Sequence, residues 1–535
     1  MKIQLMQCAP RVGDIYGNVS IILQAIKKAA QTHADLLLFP ELVLTGYPPE
    51  DLLLRPAFMD SVTQATQHII QQSQTSILVF GAPRLDGSQL KNSAFIAQNG
   101  KLIAIYDKQH LPNYGVFDEQ RYFVAGDGQQ SIFKVDNWRI GISICEDLWH
   151  DNLAAQQEKQ GCDVWLNLNA SPFHLNKQHA REQLTTRRAK QFHCPIVYVN
   201  AVGGQDEVVF DGGSHVVDST GNMSLRSPLF QQDTACFDSA AIAEHPIAEI
   251  PEDIAQVHSA LVCGVRDYVL RNGSTDVVIG LSGGIDSALT AAIAVEALGA
   301  THVLGVLLPS SCSSAHSISD AEALVQNLGI QSITLPIHDS VTAIETTLAP
   351  TFKAWNKAAP DVTEENIQAR ARGILLMAIS NKTGRMLLTT GNKSEMAVGY
   401  ATLYGDMAGG FAVLKDVYKM QVFALCHHLN QQGDVIPQNT IDKPPSAELR
   451  PDQKDSDSLP DYAVLDAILQ ASIEERLSVQ DIIAQGYDAQ EVKRIIHLLH
   501  LAEYKRRQAP PGIKISQRAF GRDRRYPITH AFREE

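Results

Sequence analysis

The sequence predicts an α/β protein made of at least two domains. Its 535 residues are too many for a single hydrophobic core. Short apolar runs rich in β-branched residues alternate with segments of helical apolar spacing, which is typical of parallel sheets flanked by helices. An acidic, proline-containing stretch over residues 240–253 indicates a boundary. We therefore predict one domain over residues 1–245 and a second over residues 246–535.

The composition narrows the class of protein and its partners. The net charge of −14 argues against a general nucleic-acid-binding surface. The eight cysteines include no C-x-x-C pair, which argues against a zinc site or a disulfide framework and fits a reducing cytoplasm. No apolar run approaches the roughly 20 residues of a membrane helix. We expect a cytoplasmic protein that binds neither nucleic acid nor membrane.

In the first half of the chain, three predicted strands each end beside a residue that can do chemistry. The strand and residue pairs are 35–39 with Glu41, 102–106 with Lys108, and 138–144 with Cys145. The middle strand is the second arm of a hairpin predicted from Asn99-Gly100, a pair that favours a type I′ turn. Reactive groups of α/β proteins commonly follow the carboxyl ends of strands.

Each of these three residues has an ordinary explanation when it is taken alone. Glu41 and Lys108 are compatible with solvated loop charges, and Cys145 with a small buried hydrophobe. Together they form a coherent chemical set. A thiol needs a base to become a thiolate, and the oxyanion formed on an amide needs a positive donor. Cys162 is a rival nucleophile, but it precedes its predicted strand and lacks a charged continuation.

The motifs around these residues resemble the nitrilase, or carbon–nitrogen hydrolase, superfamily. They are F-P-E-L, K-Q-H-L-P-N-Y-G-V-F-D-E and C-E-D-L-W. The resemblance implies an αββα sandwich that hydrolyses amides, with Glu41 as general base, Lys108 as transition-state stabiliser and Cys145 as nucleophile. It further implies a supporting role for Glu119, and glutamine binding by Tyr114, Ser171 and Lys177.

In the second half, a predicted strand over residues 276–281 runs into the Gly-rich turn Ser282-Gly283-Gly284 and then a helix. Glycines let backbone N–H groups approach a phosphate, and a helix N-terminus adds its positive dipole end. Asp286 then lies beside the phosphate site, where it can hold Mg²⁺. The alternative is an ordinary tight turn with an N-capping aspartate.

Further strand–helix alternation predicts a doubly wound sheet, and another predicted strand, 386–389, leads to Glu395. This carboxylate is the natural second ligand for the metal at Asp286, although acids are also favoured in the first turn of any helix. Residues 443–462 predict a mobile loop that orders over a ligand. Basic clusters at 505–507 and 518–525 suggest contact with a polyanionic substrate.

The turn S-G-G-I-D-S resembles the pyrophosphate-binding loop of the ATP pyrophosphatase, or PP-loop, superfamily, which implies a Rossmann-like fold. Together with E-E-N-I-Q-A-R-A-R, T-G-N-K-S-E and L-Y-G-D-M-A-G-G, it resembles the glutamine-dependent NAD⁺ synthetases. The resemblance implies Mg²⁺ on Asp286 and Glu395, and deamido-NAD⁺ contacts from Asn366, Glu395 and Lys505. It places ATP beside Gly280, Leu281, Ser282, Gly283, Gly284, Ile285, Asp286, Ser287, Thr390, Lys419 and Ser446.

One departure concerns substrate binding: ammonia-only members of this family carry a lysine and an acid in the segment that matches Leu403 and Gly410. Contacts from this segment to the substrate are therefore not predicted. The expected partners are the small molecules deamido-NAD⁺, ATP and glutamine or ammonia, and the expected assembly is a homo-oligomer.

The predicted function is ATP-dependent amidation of deamido-NAD⁺ with ammonia released from glutamine. Two alternatives differ in class. One is another PP-loop amidotransferase that makes a different amide, and the other is a non-catalytic adenine-nucleotide sensor. The intact Glu–Lys–Cys set argues against the sensor, and a glutaminase assay separates the two classes.

Overall fold

The computed structural model describes residues 1–128, 130–153, 160–240, 246–532 and 534. The chain divides into two compact units, Met1–Pro251 and Glu252–Glu535. The division falls within the acidic, proline-containing stretch. Within the described ranges, no helix is both long enough and apolar enough to cross a bilayer.

Unit 1 is dominated by β-strands. In chain order they are β1 (Lys2–Gln7), β2 (Leu36–Leu38), β3 (Ile77–Asp86), β4 (Gln89–Gln98), β5 (Lys101–Asp107), β6 (Ile132–Val135), β7 (Trp138–Ile144), β8 (Val164–Asn169), β9 (Ile196–Asn200), β10 (Val202–Gln205), β11 (Val208–Asp211), β12 (His215–Val217), β13 (Met223–Arg226) and β14 (Asp233–Asp238). The longer helices are α1 (Ile15–Thr32), α2 (Pro56–Gln72) and α3 (Lys177–Phe192).

These strands form two six-stranded sheets and a small hairpin. The first sheet has the order β14-β1-β2-β3-β4-β5 and the second β13-β12-β9-β8-β7-β6, while β10 pairs with β11. Strands β1, β2 and β3 are parallel, as are β7, β8 and β9, so their carboxyl ends share one edge of each sheet. The predicted hairpin is confirmed: Asn99 and Gly100 join β4 to β5 with φ of 52° and 73°.

The packing of unit 1 is a four-layer sandwich. One apolar cluster takes side chains from both sheets, among them Leu38 and Val79 from the first and Ile142 and Leu166 from the second. The outer face of the first sheet packs under α1 and α2, and the outer face of the second packs under α3. The αββα architecture is confirmed.

Unit 2 is built on a five-stranded parallel sheet. Its strands are β15 (Val277–Leu281), β16 (Val303–Leu307), β17 (Gln331–Thr334), β18 (Met386–Thr389) and β19 (Phe411–Ala412). Its helices are α4 (Asp253–Arg271), α5 (Ile285–Leu298), α6 (Ala315–Leu328), α7 (His338–Ala354), α8 (Val362–Thr383), α9 (Lys393–Val398), α10 (Lys419–Leu429), α11 (Gln438–Asp442), α12 (Tyr462–Ile473), α13 (Val479–Ala484), α14 (Ala489–Leu501) and α15 (Glu503–Arg506).

The strand order β17-β16-β15-β18-β19 reverses direction at β15. All four strand pairs are parallel, which confirms the doubly wound prediction. In such sheets the crevice beyond the carboxyl ends of the strands at the reversal point is the usual ligand site. The Gly-rich turn after β15 lies at this point.

Candidate active sites

In unit 1, the carboxyl ends of strands bring two of the predicted catalytic side chains into contact. Nζ of Lys108 lies 2.7 Å from Oε1 of Glu41 and 2.7 Å from Oε1 of Glu119. All three side chains are buried. Glu41 follows β2 and Lys108 follows β5, so one sheet supplies this pair, while Glu119 begins a short 3₁₀ helix, Glu119–Arg121.

Cys145 follows β7 of the facing sheet and begins a short 3₁₀ helix, Cys145–Trp149. Its φ of 46° is in the left-handed region, which is uncommon for a residue with a side chain. Burial raises the pKa of the Cys145 thiol well above its ordinary value; the charge of Glu41 raises it further and that of Lys108 lowers it. The charges of Glu146 and Glu119 also raise it, so the thiol needs a base to form the thiolate.

Glu119 is held in the same cluster by a residue that sequence reasoning missed. Oη of Tyr47 donates a hydrogen bond of 2.8 Å to Oε1 of Glu119. Burial raises the pKa of Glu119 above its ordinary value, against the lowering effect of Lys108. In the described part of the chain, Oε2 of Glu119 has no hydrogen-bond partner.

The predicted glutamine-binding residues lie on the same side of the sandwich. Oη of Tyr114 donates to Oε2 of Glu146 at 2.8 Å, and Nζ of Lys177 lies 4.9 Å from the ring centre of Trp149. Burial raises the pKa of Tyr114 and the charge of Glu146 raises it further, while burial lowers the pKa of Lys177. Glu146 and Trp149 belong to the turn that starts at Cys145.

Ser171 is fixed by a buried network that the sequence did not indicate. Nη2 of Arg181 donates to the Ser171 carbonyl at 2.8 Å, and Oδ1 of Asn200 accepts the Ser171 N–H at 2.9 Å. Arg181 is paired with Asp211, with Nη1 2.7 Å from Oδ1. This network holds the segment after β8 in place.

Asp147 connects the segment after Lys108 to the turn after Cys145. Its Oδ1 accepts the backbone N–H groups of Gln109 and His110 at 3.0 and 2.7 Å. Its Oδ2 accepts the Ile144 N–H at 3.0 Å and the hydroxyl of Tyr106 at 2.8 Å. Asp147 is the aspartate of the C-E-D-L-W motif, but the motif does not indicate its role, which depends on contacts with residues 106–110.

In unit 2, the Gly-rich turn after β15 borders a cavity of about 280 Å³. Gly283 has φ of 76°, and a Cβ there would lie 2.1 Å from the Ser317 carbonyl oxygen, so only glycine fits. Of the predicted ATP residues, all except Gly283 line the cavity: Gly280, Leu281, Ser282, Gly284, Ile285, Asp286, Ser287, Thr390, Lys419 and Ser446.

The two predicted metal carboxylates face one lysine. Nζ of Lys419 lies 2.5 Å from Oδ2 of Asp286 and 3.5 Å from Oε1 of Glu395. Nδ2 of Asn392 donates to Oδ1 of Asp286 at 2.9 Å, a contact that sequence reasoning missed. Burial raises the pKa of Glu395 above its ordinary value and the charge of Asp286 raises it further, so the two carboxylates repel one another.

This donor set fits Mg²⁺. Hard divalent cations prefer carboxylate oxygen, and the mutual repulsion of Asp286 and Glu395 is what a bound cation relieves. Among the described residues, no group of three or more His, Cys, Asp or Glu side chains converges on a metal position. Two carboxylates with the remaining ligands from phosphate and water is a usual arrangement for Mg²⁺.

Asn366 and Lys505 lie outside the cavity lining but meet one segment of its wall. Oδ1 of Asn366 accepts the hydroxyl of Thr402 at 2.7 Å. Nζ of Lys505 donates to the carbonyls of Gly399 and Ala401, both at 2.7 Å. Thr402 and Glu395 themselves line the cavity, so these predicted deamido-NAD⁺ residues are grouped around residues 395–402.

Two acidic residues of the cavity wall were not identified from the sequence. Asp406, in the segment between Leu403 and Gly410, accepts the Thr402 N–H at 2.7 Å. Oδ2 of Asp455 accepts the hydroxyl of Tyr462 at 2.9 Å, while Oδ1 has no partner in the described part of the chain. Asp455 lies in the segment predicted to be a mobile loop.

That segment is folded against the cavity in the structure. Residues 443–449 line it, and Oε1 of Glu448 accepts the hydroxyls of Ser314 and Ser317 at 3.0 and 2.5 Å.

The polyanion-binding prediction is wrong for two tail arginines. Arg506 and Arg524 are buried, and their guanidinium groups lie 2.8 and 2.5 Å from Oε2 of Glu503.

Comparisons with known proteins agree with this division of chemistry. The carbon-nitrogen hydrolase family model matches residues 2–243, and the NAD synthase family model matches residues 257–509. The fold and the two sites thus define a carbon–nitrogen hydrolase unit joined to an NAD synthase unit.

The similarity extends over the whole chain. It is 45% identical to the glutamine-dependent NAD(+) synthetase of Acinetobacter baylyi, covering 100% of this chain and 99% of that one. The Thermotoga maritima enzyme is 42% identical, with 100% and 99% coverage. The chain belongs to the glutamine-dependent NAD(+) synthetase family.

Solved structures show the same fold. The glutamine-dependent NAD+ synthetase of Acinetobacter baumannii, in complex with ADP, matches with a TM-score of 0.79 at 44% identity and 98% coverage of each chain. That of Cytophaga hutchinsonii, at 24% identity, has a TM-score of 0.86 over 99% of this chain and 98% of that one, which supports the fold.

Proposed function

We propose that the protein makes NAD⁺ by amidating deamido-NAD⁺ with ammonia from glutamine, in a reaction that converts ATP to AMP and pyrophosphate. The observation that carries the proposal is the presence on one chain of two different sites. Unit 1 holds a buried Glu–Lys pair near a cysteine, and unit 2 holds a cavity bordered by a Gly-rich turn and two carboxylates.

In unit 1, Sγ of Cys145 attacks the side-chain amide carbon of glutamine while Glu41 takes the thiol proton. Lys108 donates to the oxygen that becomes negative in the tetrahedral intermediate. Glu41 returns the proton to the nitrogen, ammonia leaves, and a thioester remains. Water activated by Glu41 then hydrolyses the thioester to glutamate and frees the thiol.

The contacts of the predicted glutamine-binding residues support a different role for each of them in binding glutamine. Lys177 is the cation available for the α-carboxylate, because its neighbour Arg181 is already paired with Asp211. Tyr114 and Ser171 are the remaining predicted contacts, and both are held by hydrogen bonds that do not depend on the substrate. Such preorganisation lowers the entropy lost on binding.

In unit 2, the carboxylate of deamido-NAD⁺ attacks the α-phosphorus of ATP and displaces pyrophosphate; ammonia then displaces AMP from the adenylate. The backbone of the turn and the N-terminus of α5 bind phosphate oxygens. Asp286 and Glu395 would hold Mg²⁺, which when bound supplies charge neutralisation to the phosphates. Lys419 supplies a further positive charge, and Asn366 and Lys505 bind deamido-NAD⁺.

The test is product analysis of the purified chain with ATP, glutamine and deamido-NAD⁺. We expect NAD⁺, AMP, pyrophosphate and glutamate to appear together. Glutamate without NAD⁺ would indicate an amidotransferase with another substrate, and no turnover of either glutamine or ATP would favour a sensor. A homo-oligomeric assembly stays a prediction, which analytical ultracentrifugation of the same preparation tests.

A further inference from the structure

A buried asparagine, Asn92, contacts the carboxylate of Glu41. Asn92 lies in β4, where it is 1% exposed. Its Nδ2 is 2.8 Å from Oε1 of Glu41, the same oxygen that accepts from Nζ of Lys108 at 2.7 Å. An ionised carboxylate can only accept hydrogen bonds, so the amide must present its NH₂ group to Glu41.

The other end of this amide is left without a partner. Oδ1 of Asn92 has no hydrogen-bond partner in the described part of the chain. A buried carbonyl without a donor is unfavourable. An apolar residue at position 92 would avoid that penalty. The reason for an asparagine here is therefore the hydrogen bond that its NH₂ group donates to Glu41.

The backbone of Asn92 contacts the second member of the set. Its carbonyl accepts the backbone N–H of Lys108 at 2.8 Å, which extends the β4–β5 ladder by one hydrogen bond. Asn92 therefore holds the side chain of Glu41 and the main chain of Lys108 at once. It fixes these two groups relative to each other although they are far apart in the chain.

The hydrogen bonds to Glu41 also distinguish its two oxygens. Oε1 accepts from Lys108 and Asn92, which occupies both of its lone pairs. Among the described residues, Oε2 accepts one hydrogen bond, from the backbone N–H of Ala170 at 3.2 Å. The lone pair that remains for an incoming proton is therefore on Oε2.

We propose that Asn92 is a positioning residue for the glutamine-hydrolysing reaction: it fixes the carboxylate of Glu41 and directs proton transfer from Cys145 to Oε2. This inference rests on the proposed function. In the step it assists, the S–H bond breaks, the proton moves to Oε2, and the sulfur electron pair forms the bond to the amide carbon. The carbonyl π electrons move to the oxygen that faces Lys108.

The test uses the full chain with Asn92→Ala and Asn92→Asp. For Asn92→Ala, kcat for glutamine hydrolysis should fall by about 10- to 100-fold with KM changed less than about 2-fold, because the base is misplaced and glutamine contacts remain. The acid limb of the pH profile should move to higher pH, because a carboxylate that loses a donor is protonated more readily. Asn92→Asp should move it further, since it places a second carboxylate against Glu41.

A second readout does not depend on turnover. Alkylation of Cys145 by iodoacetamide, followed by mass spectrometry across the same pH range, should show the same displacement. Synthesis from ammonium in the same preparations reports whether unit 2 is intact, and thermal melting reports the folding of both variants. Asn92→Asp keeps the volume of the side chain, so it also serves where Asn92→Ala is poorly folded.

The matched control is Asn167→Ala. Asn167 is also fully buried in unit 1, and no described residue pairs with its Oδ1, but its Nδ2 donates to Ser143 Oγ at 2.7 Å. Asn167→Ala should lower the melting temperature without moving the pH profile. The inference is overturned if folded Asn92 variants keep the parent pH profile, or if Asn167→Ala moves it equally. A parent chain that releases no glutamate from glutamine would instead refute the proposed function.

Discussion

Lys108 and Glu41 form a buried ion pair. Nζ and Oε1 are 2.7 Å apart, and the side chains are 0% and 1% exposed. Glu119 shares the same ammonium group at 2.7 Å. The negative charges of two buried carboxylates are therefore balanced by one ammonium group. Lys108 is for this reason expected to affect both the stability of unit 1 and glutamine hydrolysis.

Replacing Lys108 with Met should abolish glutamine hydrolysis and lower the free energy of unfolding of unit 1 by about 3–5 kcal/mol, because the two glutamates would be left buried without a counter-charge. Urea unfolding together with a glutaminase assay measures both effects. Lys101→Met is the matched control: Lys101 begins the same strand but is exposed, and its replacement should change neither quantity. Unchanged stability in Lys108→Met would contradict the dependence on this cation.

Cys145→Ala should reduce glutamine-dependent NAD⁺ synthesis to background, because no thioester can form. Synthesis from high ammonium should persist near the parent rate, since unit 2 keeps its Gly-rich turn and carboxylates. The control is Cys162→Ala, whose sulfur lies 3.3 Å from Sγ of Cys194 in an apolar cluster. A Cys145→Ala enzyme that still uses glutamine would defeat the assignment.

Asp286→Asn and Glu395→Gln should each lower AMP and pyrophosphate formation by about 100-fold or more, because each removes a carboxylate expected to hold Mg²⁺. Glutamine hydrolysis should survive at least in part. Glu296→Gln is the control: this acid lies on α5 with Asp286 but pairs with His258 at 2.9 Å and is half exposed. Direct Mn²⁺ binding in the presence of ATP, followed by electron paramagnetic resonance, should weaken in the first two variants only.

The buried histidine of unit 1 predicts a loss of stability in acid. Burial lowers the pKa of His215 from 6.5 to about 4, so the folded protein keeps it neutral while the unfolded chain takes up a proton. Its contribution is complete above pH 6.5 and is lost as the pH falls toward 4, by about 3 kcal/mol. Urea unfolding between pH 7 and pH 4 should be less pH-dependent in His215→Gln than in the parent; equal dependence would rule the effect out.

The sequence predicted the residues that follow strand ends, because a local pattern marks them. A buried run followed by Glu41 or Cys145, or a Gly-rich turn followed by Asp286, is visible within about ten residues. Tyr47 and Asn92 were missed for the opposite reason. Each is an isolated polar residue whose partner, Glu119 for Tyr47 and Glu41 for Asn92, is distant in the chain and is brought to it by the fold of unit 1.

The basic tail shows a different limit of sequence reasoning. A cluster of arginines indicates positive charge but not where the compensating charge lies. Glu503 forms ion pairs with Arg506 and Arg524 inside the protein, so these two arginines are unavailable for a substrate. Lys505 directly precedes Arg506 and is predicted to bind deamido-NAD⁺. In the structure its Nζ donates to the carbonyls of Gly399 and Ala401 beside the cavity wall, and its role stays a prediction.

The left-handed backbone at Cys145 places the nucleophile at a position where a side chain lowers stability. A residue with a Cβ costs about 1 kcal/mol or more in this region, and glycine avoids that penalty. The Cys145 side chain is packed in the apolar cluster of unit 1, so glycine would relieve the backbone penalty but lose this burial together with the nucleophile. Laboratory evolution of this chain for heat resistance therefore needs glutamine use to be selected in the same round, because a stabilised descendant altered at position 145 would depend on free ammonia.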